Sequence, residues 1–330
     1  MENIQSTLDK LASQSDRRIS VFDIEIVRLQ NTILTLSGRL LDETQLVTLS
    51  HHFPKWKLDT ASIQILYRGD LPRMHVSTNL TGLYEKPTFG MPLSSELCYG
   101  TELEILDEQG QWVFTRQKDG YLGWAYKSYL TNGSAATATH LILAPSYGLR
   151  TQPDRESAVV TRVVSGTGVS IEEARGNWAR VVANDTGWMP TMFLRPIESL
   201  PGSIEEKRRA IVEDSARMMG VPYLWGGTSG NGIDCSGLAR LLHLWVGVDI
   251  PRDADMQHAA AKPVEPPFEV GDLLFFAESG SQRKITHVGI SLGGWTMIHS
   301  SRGRNGVYVD DVEKDEARKQ AFVSAGSFLR

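Results

Sequence analysis

An internal repeat in the middle of the chain constrains the fold more than any other feature of the sequence. Turn residues and a tryptophan recur 66 residues later: Gly82, Pro87, Gly100, Gly110 and Trp112 return as Gly148, Pro153, Gly166, Gly176 and Trp178. Short apolar runs lie between these turn residues in both copies, which is typical of short antiparallel strands. Residues 73–133 and 138–197 are therefore predicted to form two small β barrels. Their tryptophans are interpreted as packing residues of those barrels.

Cys235 lies at the predicted start of a helix. Apolar residues follow it at the spacing of one buried helical face, namely Leu238, Leu241, Leu242 and Trp245. The run Gly230-Asn231-Gly232 just before it favours a turn. Unpaired backbone N–H groups and the positive end of the helix dipole favour a thiolate at such a position. Cys235 is therefore predicted to be a nucleophile.

Two histidines downstream are candidates for the base that a nucleophilic thiol requires. His287 lies in one strand-like run and His299 ends the next, with Gly293-Gly294 between them. If the two runs pair as a hairpin around this turn, the imidazoles lie close together. A cysteine on a helix with histidines on a neighbouring sheet is the arrangement that papain-like catalysis uses.

Five separated motifs follow one another in this part of the chain: Tyr223-Leu224-Trp225-Gly226-Gly227, Asp234-Cys235-Ser236-Gly237, Gly271-Asp272-Leu273, His287-Val288-Gly289 and His299. Their order and spacing resemble those of the NlpC/P60 cysteine peptidases of bacterial cell-wall metabolism. The resemblance covers about 203–330, and the internal repeat resembles a pair of bacterial SH3-type domains. Together they resemble the γ-D-glutamyl-L-diamino acid endopeptidases within that family.

The resemblance implies a multidomain fold. An α+β papain-like domain over 203–330 would follow the two all-β SH3-like barrels, with Ser203 and Glu206 forming a capping box at its first helix, 204–220. Residues 1–72 are predicted to form a small α/β unit that loosely resembles BON-type modules. Its predicted elements are a helix through Ile4, Leu8 and Leu11, two strands over 19–28 and 32–38, and a second helix near 40–50.

The resemblance also implies catalytic roles. Cys235 would attack the scissile carbonyl, His287 would act as general base and then general acid, and His299 would orient His287. The Tyr223 hydroxyl and the Cys235 backbone N–H would stabilise the oxyanion.

Substrate-binding roles are implied for four further residues. Asp234 and Ser236 would line the acyl-side pocket. From the first SH3-type domain, Glu85 and Tyr121 would recognise the free amino group of an N-terminal L-Ala. The family often has a serine in its stretch after the catalytic helix, whereas Pro251-Arg252-Asp253-Ala254-Asp255 has none. A contact of Asp253 or Asp255 with substrate is an open alternative.

Composition and charge exclude several other classes. A net charge of −5 argues against a nucleic-acid surface. No apolar run reaches the length of a membrane span and no signal peptide is visible, so we expect a cytoplasmic location with no membrane partner. The histidines His51 and His52 lack further ligands nearby, and no metal cluster accompanies the Cys-His set. Neither a metal nor an organic cofactor is predicted.

The resulting hypothesis is hydrolysis of the γ-D-glutamyl-diamino acid bond in short murein peptides with a free N-terminal L-Ala, as in recycling of the wall. Two alternatives stay open. One is a peptidoglycan amidase or acyltransferase that uses the same triad with another pocket. The other is a wall-binding protein whose catalytic domain is idle. The sequence leaves the oligomeric state and the preferred diamino acid open.

Overall fold

The computed structural model describes residues 2–133, 136–277 and 284–329. They form two compact units, one of Met1–Met74 with Glu102–Ser128, the other of His75–Thr101 with Tyr129–Arg330. The strands of the first SH3-type segment are thus divided between the two units. No helix in the described part of the chain is long and apolar enough to cross a membrane.

The chain alternates short helices with many short strands. The α-helices are α1 Glu2–Gln14, α2 Glu43–His52, α3 Ile204–Ser215, α4 Cys235–Leu244, α5 Ala254–Ala260 and α6 Glu316–Ala321. The first strands are β1 Phe22–Gln30, β2 Ile33–Leu40, β3 Lys57–Ile65, β4 Arg73–Val76, β5 Leu80–Tyr84, β6 Leu93–Cys98, β7 Glu102–Gln109, β8 Trp112–Arg116, β9 Leu122–Tyr126, β10 Leu130–Thr131, β11 His140–Ile142 and β12 Ser146–Arg150. The remaining strands are β13 Val159–Val164, β14 Gly168–Arg175, β15 Trp178–Val182, β16 Thr186–Pro190, β17 Leu194–Pro196, β18 Thr228–Ser229, β19 Gly232–Ile233, β20 Lys262–Val264, β21 Leu273–Ala277, β22 Ile285–Ser291, β23 Thr296–Ser301, β24 Gly306–Asp311 and β25 Phe322–Ser327.

In the first unit, α1 and α2 accompany a three-stranded sheet of order β1-β2-β3. Leu8 of α1, Leu49 of α2 and Leu34 of β2 share its core. The two predicted helices and the first two strands are present, but β3 was not predicted. This strand runs parallel to β2, so α2 serves as the crossover that a parallel pair requires. The same unit contains the antiparallel strands β7, β8 and β9.

In the second unit, the second repeat forms a seven-stranded sheet of order β13-β12-β16-β15-β14-β11-β17. Leu149, Val163 and Val181 from three of these strands are buried in one core, as expected for a small barrel. β5 and β6 of the first repeat form a hairpin in this unit.

The catalytic part of the second unit places α4 beside a six-stranded antiparallel sheet of order β20-β25-β21-β22-β23-β24. Leu238 and Leu242 of α4 share a core with Val288 of β22 and Ile298 of β23. The predicted capping box of Ser203 and Glu206 is confirmed. The helix that it begins, α3, ends at Ser215 rather than near residue 220. At this end the Ser215 hydroxyl donates to the Val212 carbonyl, and a 3₁₀ turn follows.

Acid should weaken this unit through His243, which is fully buried within α4 and whose Nδ1 lies 2.8 Å from the Ala239 carbonyl. Burial lowers the pKa of His243 to about 4. Between about pH 6.5 and this value the unfolded chain binds the proton and the folded chain does not, so stability falls as the pH falls. Between pH 7 and pH 5 His243 alone should contribute a loss of roughly 2 kcal/mol to the free energy of unfolding. Urea unfolding of wild type and His243→Gln at both pH values measures this loss.

The variant should lose less stability than wild type on going to pH 5, whereas His51→Gln, an exposed position on α2, should behave like wild type. Equal losses in wild type and His243→Gln would contradict this role for His243.

Candidate active site

The start of α4 positions the predicted nucleophile. β18 and β19 form a hairpin whose turn brings the Pro145 carbonyl oxygen to 2.0 Å from where a Cβ on Gly230 would lie, so this position requires glycine. Asp234 then caps the helix, its carboxylate accepting the Gly237 N–H at 2.7 Å. Cys235 is the first helical residue, as predicted, and is 8% exposed.

A buried ion pair fixes this cap. Arg252, which is 1% exposed, donates to the two carboxylate oxygens of Asp234 over 2.7 and 3.1 Å. The same guanidinium donates to the Ser236 hydroxyl at 3.0 Å and to the Ser95 hydroxyl of β6 at 3.2 Å. Because a buried charge needs a partner, Arg252 and Asp234 stabilise each other and with them the first turn of α4. The predicted pocket role of Asp234 and Ser236 stays a prediction, since their side chains bond each other and Arg252.

The strand β6 contacts the segment that precedes Cys235 at two further points, Thr228 and Gly226. The Glu96 carboxylate accepts the Thr228 N–H at 2.8 Å. The Leu93 carbonyl oxygen would lie 2.5 Å from a Cβ on Gly226, whose φ of +78° already favours glycine. The β5-β6 hairpin and the loop before Cys235 therefore pack backbone against backbone.

The protonation state of Cys235 differs from the sequence prediction. Burial, followed by the nearby Asp234 carboxylate, raises the pKa of the Cys235 thiol to about 12, although the Val288 and Ser236 backbone N–H groups hydrogen-bond the sulfur. Desolvation therefore outweighs the helix N-terminus, and the resting group is a thiol rather than the favoured thiolate that the sequence predicted. A base must then take its proton during the reaction.

The hairpin of β22 and β23 places the two histidines together. Gly293 and Gly294 adopt φ of +116° and +59° in its turn, and Ile290 pairs with Ile298. His287 Nε2 lies 2.8 Å from His299 Nδ1, which confirms the predicted proximity of the rings. Since Val288 donates to the sulfur, His287 is the chain neighbour of a residue that contacts Cys235.

Both imidazoles are neutral in the resting site. Burial, with His299 and Arg318 nearby, lowers the pKa of His287 to about 3. Burial also lowers the pKa of His299, which is fully buried, against the opposing hydrogen bond to Asp310. A neutral imidazole has a free lone pair at physiological pH, which is what a general base for a thiol requires.

Tyr223 lies close enough to Cys235 for the two groups to influence each other electrostatically. Burial, with the neighbouring Cys235 and Asp234, raises the pKa of its phenol to about 12, so the hydroxyl keeps its proton. The Arg302 guanidinium lies 5.9 Å from the centre of the Tyr223 ring and 5.5 Å from that of Trp225. The oxyanion role of Tyr223 stays a prediction, and a protonated phenol is the form that it needs.

The two predicted ammonium-binding residues fall in different compact units. Glu85 follows β5 in the second unit and is exposed. Tyr121 precedes β9 in the first unit and is buried. Their joint role stays a prediction.

The remaining candidates for a substrate contact lie at the start of α5. Asp253 precedes α5 as its N-cap residue, 3.8 Å from Arg252, and Asp255 lies in its first turn. Over the described residues, no three His, Cys, Asp or Glu side chains are grouped as metal ligands would be.

Sequence reasoning missed Asp310 and Arg252. The Asp310 Oδ2 lies 2.9 Å from His299 Nε2. A signal for it exists, because Asn305-Gly306 ends a turn after His299 and predicts a return strand that carries Asp310 back past that histidine. Arg252 is 18 residues from Asp234 in an irregular segment, and nothing local in the sequence pairs the two.

Comparison with known families finds three matches along the chain. Residues 83–130 match the bacterial dipeptidyl-peptidase SH3 domain, residues 147–195 match the bacterial SH3 domain, and residues 220–325 match the NlpC/P60 family.

Characterised proteins are similar over most of the length. The chain is 31% identical over 227 residues to a γ-D-glutamyl-L-lysine dipeptidyl-peptidase of Bacillus subtilis, covering 64% of this chain and 73% of the relative. It is 27% identical to dipeptidyl-peptidase 6 of Lysinibacillus sphaericus, covering 71% of this chain and 90% of the relative. The crystal structure of an NlpC/P60 family protein from Bacillus cereus superposes with a TM-score of 0.66 at 20% identity, covering 78% of this chain and all of that one, which shows a shared fold.

Proposed function

We propose that this chain, which belongs to the NlpC/P60 family and is a cysteine peptidase, hydrolyses the γ-D-glutamyl-diamino acid bond of short peptides released from peptidoglycan. The observation that carries this proposal is the buried Cys235 at the start of α4, whose sulfur accepts from the backbone of Val288, next in the chain to His287, together with the hydrogen bond between His287 and His299. The substrate L-Ala-γ-D-Glu-diamino acid is supported by the likeness to relatives named for the γ-D-glutamyl-L-lysine bond. Recycling of wall peptides in the cytoplasm belongs to the same proposal.

The resting thiol and imidazole determine the first step. His287 takes the thiol proton as Cys235 attacks the carbonyl carbon, so the sulfur gains its negative charge only as the bond forms. The Cys235 backbone N–H and the Tyr223 hydroxyl donate to the developing oxyanion. His287 then gives its proton to the leaving amine of the diamino acid, and water releases the γ-D-glutamyl acyl group by the reverse steps.

A tripeptide digest tests this function. Purified protein incubated with L-Ala-γ-D-Glu-L-Lys or its diaminopimelate counterpart should release L-Ala-γ-D-Glu and the free diamino acid, as measured by mass spectrometry. An acyltransferase would instead join the acyl group to an added amine, an amidase would leave this bond intact, and a wall-binding protein would release nothing. Each of these three results would contradict the proposal.

The same digest with an N-acetylated tripeptide tests recognition of the free amino group. Acetylation removes the positive charge that the exposed Glu85 carboxylate would attract, so cleavage should slow by at least about tenfold, or 1.4 kcal/mol. Glu85→Gln should reduce the difference between the cleavage rates of the free and acetylated peptides, because it slows cleavage of the free peptide. Glu156→Gln, at an exposed acid of the second SH3-type domain, is the matched control and should leave the difference unchanged. Equal cleavage of free and acetylated peptides would mean that the free amino group is not recognised, which would remove Glu85 from the site and make acylated wall peptides equally good substrates.

A further inference from the structure

Asp310 of β24 is the centre of a charged cluster behind the two histidines. Its Oδ2 accepts from His299 Nε2 at 2.9 Å and from Arg318 Nη2 of α6 at 2.8 Å. Its Oδ1 accepts from Arg304 Nη1, in the turn before β24, at 2.7 Å. Three donors on three separate elements therefore hold one carboxylate.

These donors keep Asp310 ionised. Burial raises the pKa of its carboxyl, but the hydrogen bonds from His299 and Arg304 and the charge of Arg318 outweigh burial, and the pKa lies below its ordinary value. An ionised carboxylate can only accept hydrogen bonds. The hydrogen between Asp310 and His299 therefore belongs to His299 Nε2.

We propose that Asp310 is a positioning residue that sets the tautomers of both histidines and so makes His287 a base. A neutral His299 protonated on Nε2 has an unprotonated Nδ1, which can only accept. The hydrogen bond of 2.8 Å between the rings must then be donated by His287 Nε2. His287 Nδ1 is left with a free lone pair, and during attack the proton of the Cys235 thiol moves to this nitrogen while no proton passes to Asp310.

Without Asp310, the cluster favours the opposite tautomers. His299 Nε2 would then face the guanidinium donors of Arg304 and Arg318, and so would become an acceptor. His299 Nδ1 would carry the hydrogen and donate to His287 Nε2. His287 Nδ1 would be protonated and unable to accept from the thiol, although every other catalytic group stays in place.

Asp310→Ala tests this chain of donors. We expect kcat to fall by about 10²-fold or more with KM little changed, because a wrong tautomer blocks proton transfer rather than binding. Added formate should restore part of the rate, since it supplies a carboxylate between the two arginines. The matched control is Asp311→Ala, which should leave kcat unchanged. In the wild type the Asp311 carboxylate pairs with Lys314 at 2.8 Å. An unchanged kcat in Asp310→Ala would overturn the proposal.

¹⁵N NMR of histidine-labelled protein reads the tautomers directly and needs no substrate. In the wild-type protein, His287 and His299 should both be protonated on Nε2 and unprotonated on Nδ1, and in Asp310→Ala both should be reversed. The opposite tautomers in the wild type would overturn the proposal even if the variant failed to fold. A fall in kcat in Asp310→Ala with both histidines still in the wild-type tautomers would also overturn the proposal, because the loss of activity would then not come from a change of tautomer. This inference rests on the proposed peptidase chemistry, but its NMR result does not depend on which peptide the tripeptide digest identifies.

Discussion

Peptide cleavage should fall in Cys235→Ala by a factor on the order of 10⁴ or more, because the variant lacks the thiol that forms the acyl-enzyme in the proposed mechanism. The change removes only one sulfur from the first turn of α4. The cap of that helix depends on Asp234 and Arg252, which the substitution does not touch. Initial rates of tripeptide cleavage, together with circular dichroism of the variant, measure both halves of this expectation.

Cys98→Ala is the matched control. Burial raises the pKa of the Cys98 thiol to about 12 as well, with Thr167 as its hydrogen-bonding partner. Its substitution should leave turnover unchanged, because the proposed mechanism gives Cys98 no role. If Cys235→Ala still cleaved peptide, or if Cys98→Ala abolished cleavage, the nucleophile would be wrongly assigned.

His287→Ala should lower kcat by about 10²-fold or more, which is the usual contribution of a positioned general base and acid. The loss should be large at neutral pH because the resting Cys235 is a thiol and depends on this base to ionise. In the wild type, the lowered pKa of His287 keeps the base neutral well below pH 6.5, so kcat/KM should show no acid limb near that value. A pH-rate profile of the wild type beside single-pH rates of the variant measures both effects.

His299→Gln is the comparison for this result. Glutamine keeps an acceptor for the His287 Nε2–H, so the loss should be milder than in His287→Ala. Equal losses in the two variants would mean that His299 does more than orient its neighbour. A wild-type acid limb near pH 6.5 would mean that His287 is charged in the resting enzyme.

Local patterns in the sequence were sufficient to predict a structural feature wherever the residues that determine it are close together in the chain. The start of α4, the Ser203 capping box and the hairpin of β22 and β23 all follow from spacing, turn glycines and caps, and the structure has each of them. The proximity of His287 and His299 follows from that hairpin alone.

The missed features depend on residues that only the folded chain brings together. The thiolate prediction for Cys235 took account of the helix dipole but not of desolvation, which is set by the whole core around α4. Arg252 and Asp310 act through partners on other elements, and a charge in a sequence does not indicate its distant partner. The parallel strand β3 was missed because its pairing with β2 requires the intervening helix α2.

The buried guanidinium of Arg252 has a consequence for how this enzyme could evolve. Its bonds to Asp234 and Ser236 lie within the peptidase domain, but its bond to Ser95 lies outside it, as does the Glu96 carboxylate that accepts from Thr228. Part of the interior of the peptidase is therefore supplied by a strand of the SH3-type region. Exchange of that region for an unrelated binding module would leave polar groups around the nucleophile without partners. When such enzymes recombine, β6 and the peptidase domain should therefore be inherited together. Substitutions in β6 should also correlate with substitutions in the peptidase domain, although the two lie on opposite sides of a domain boundary.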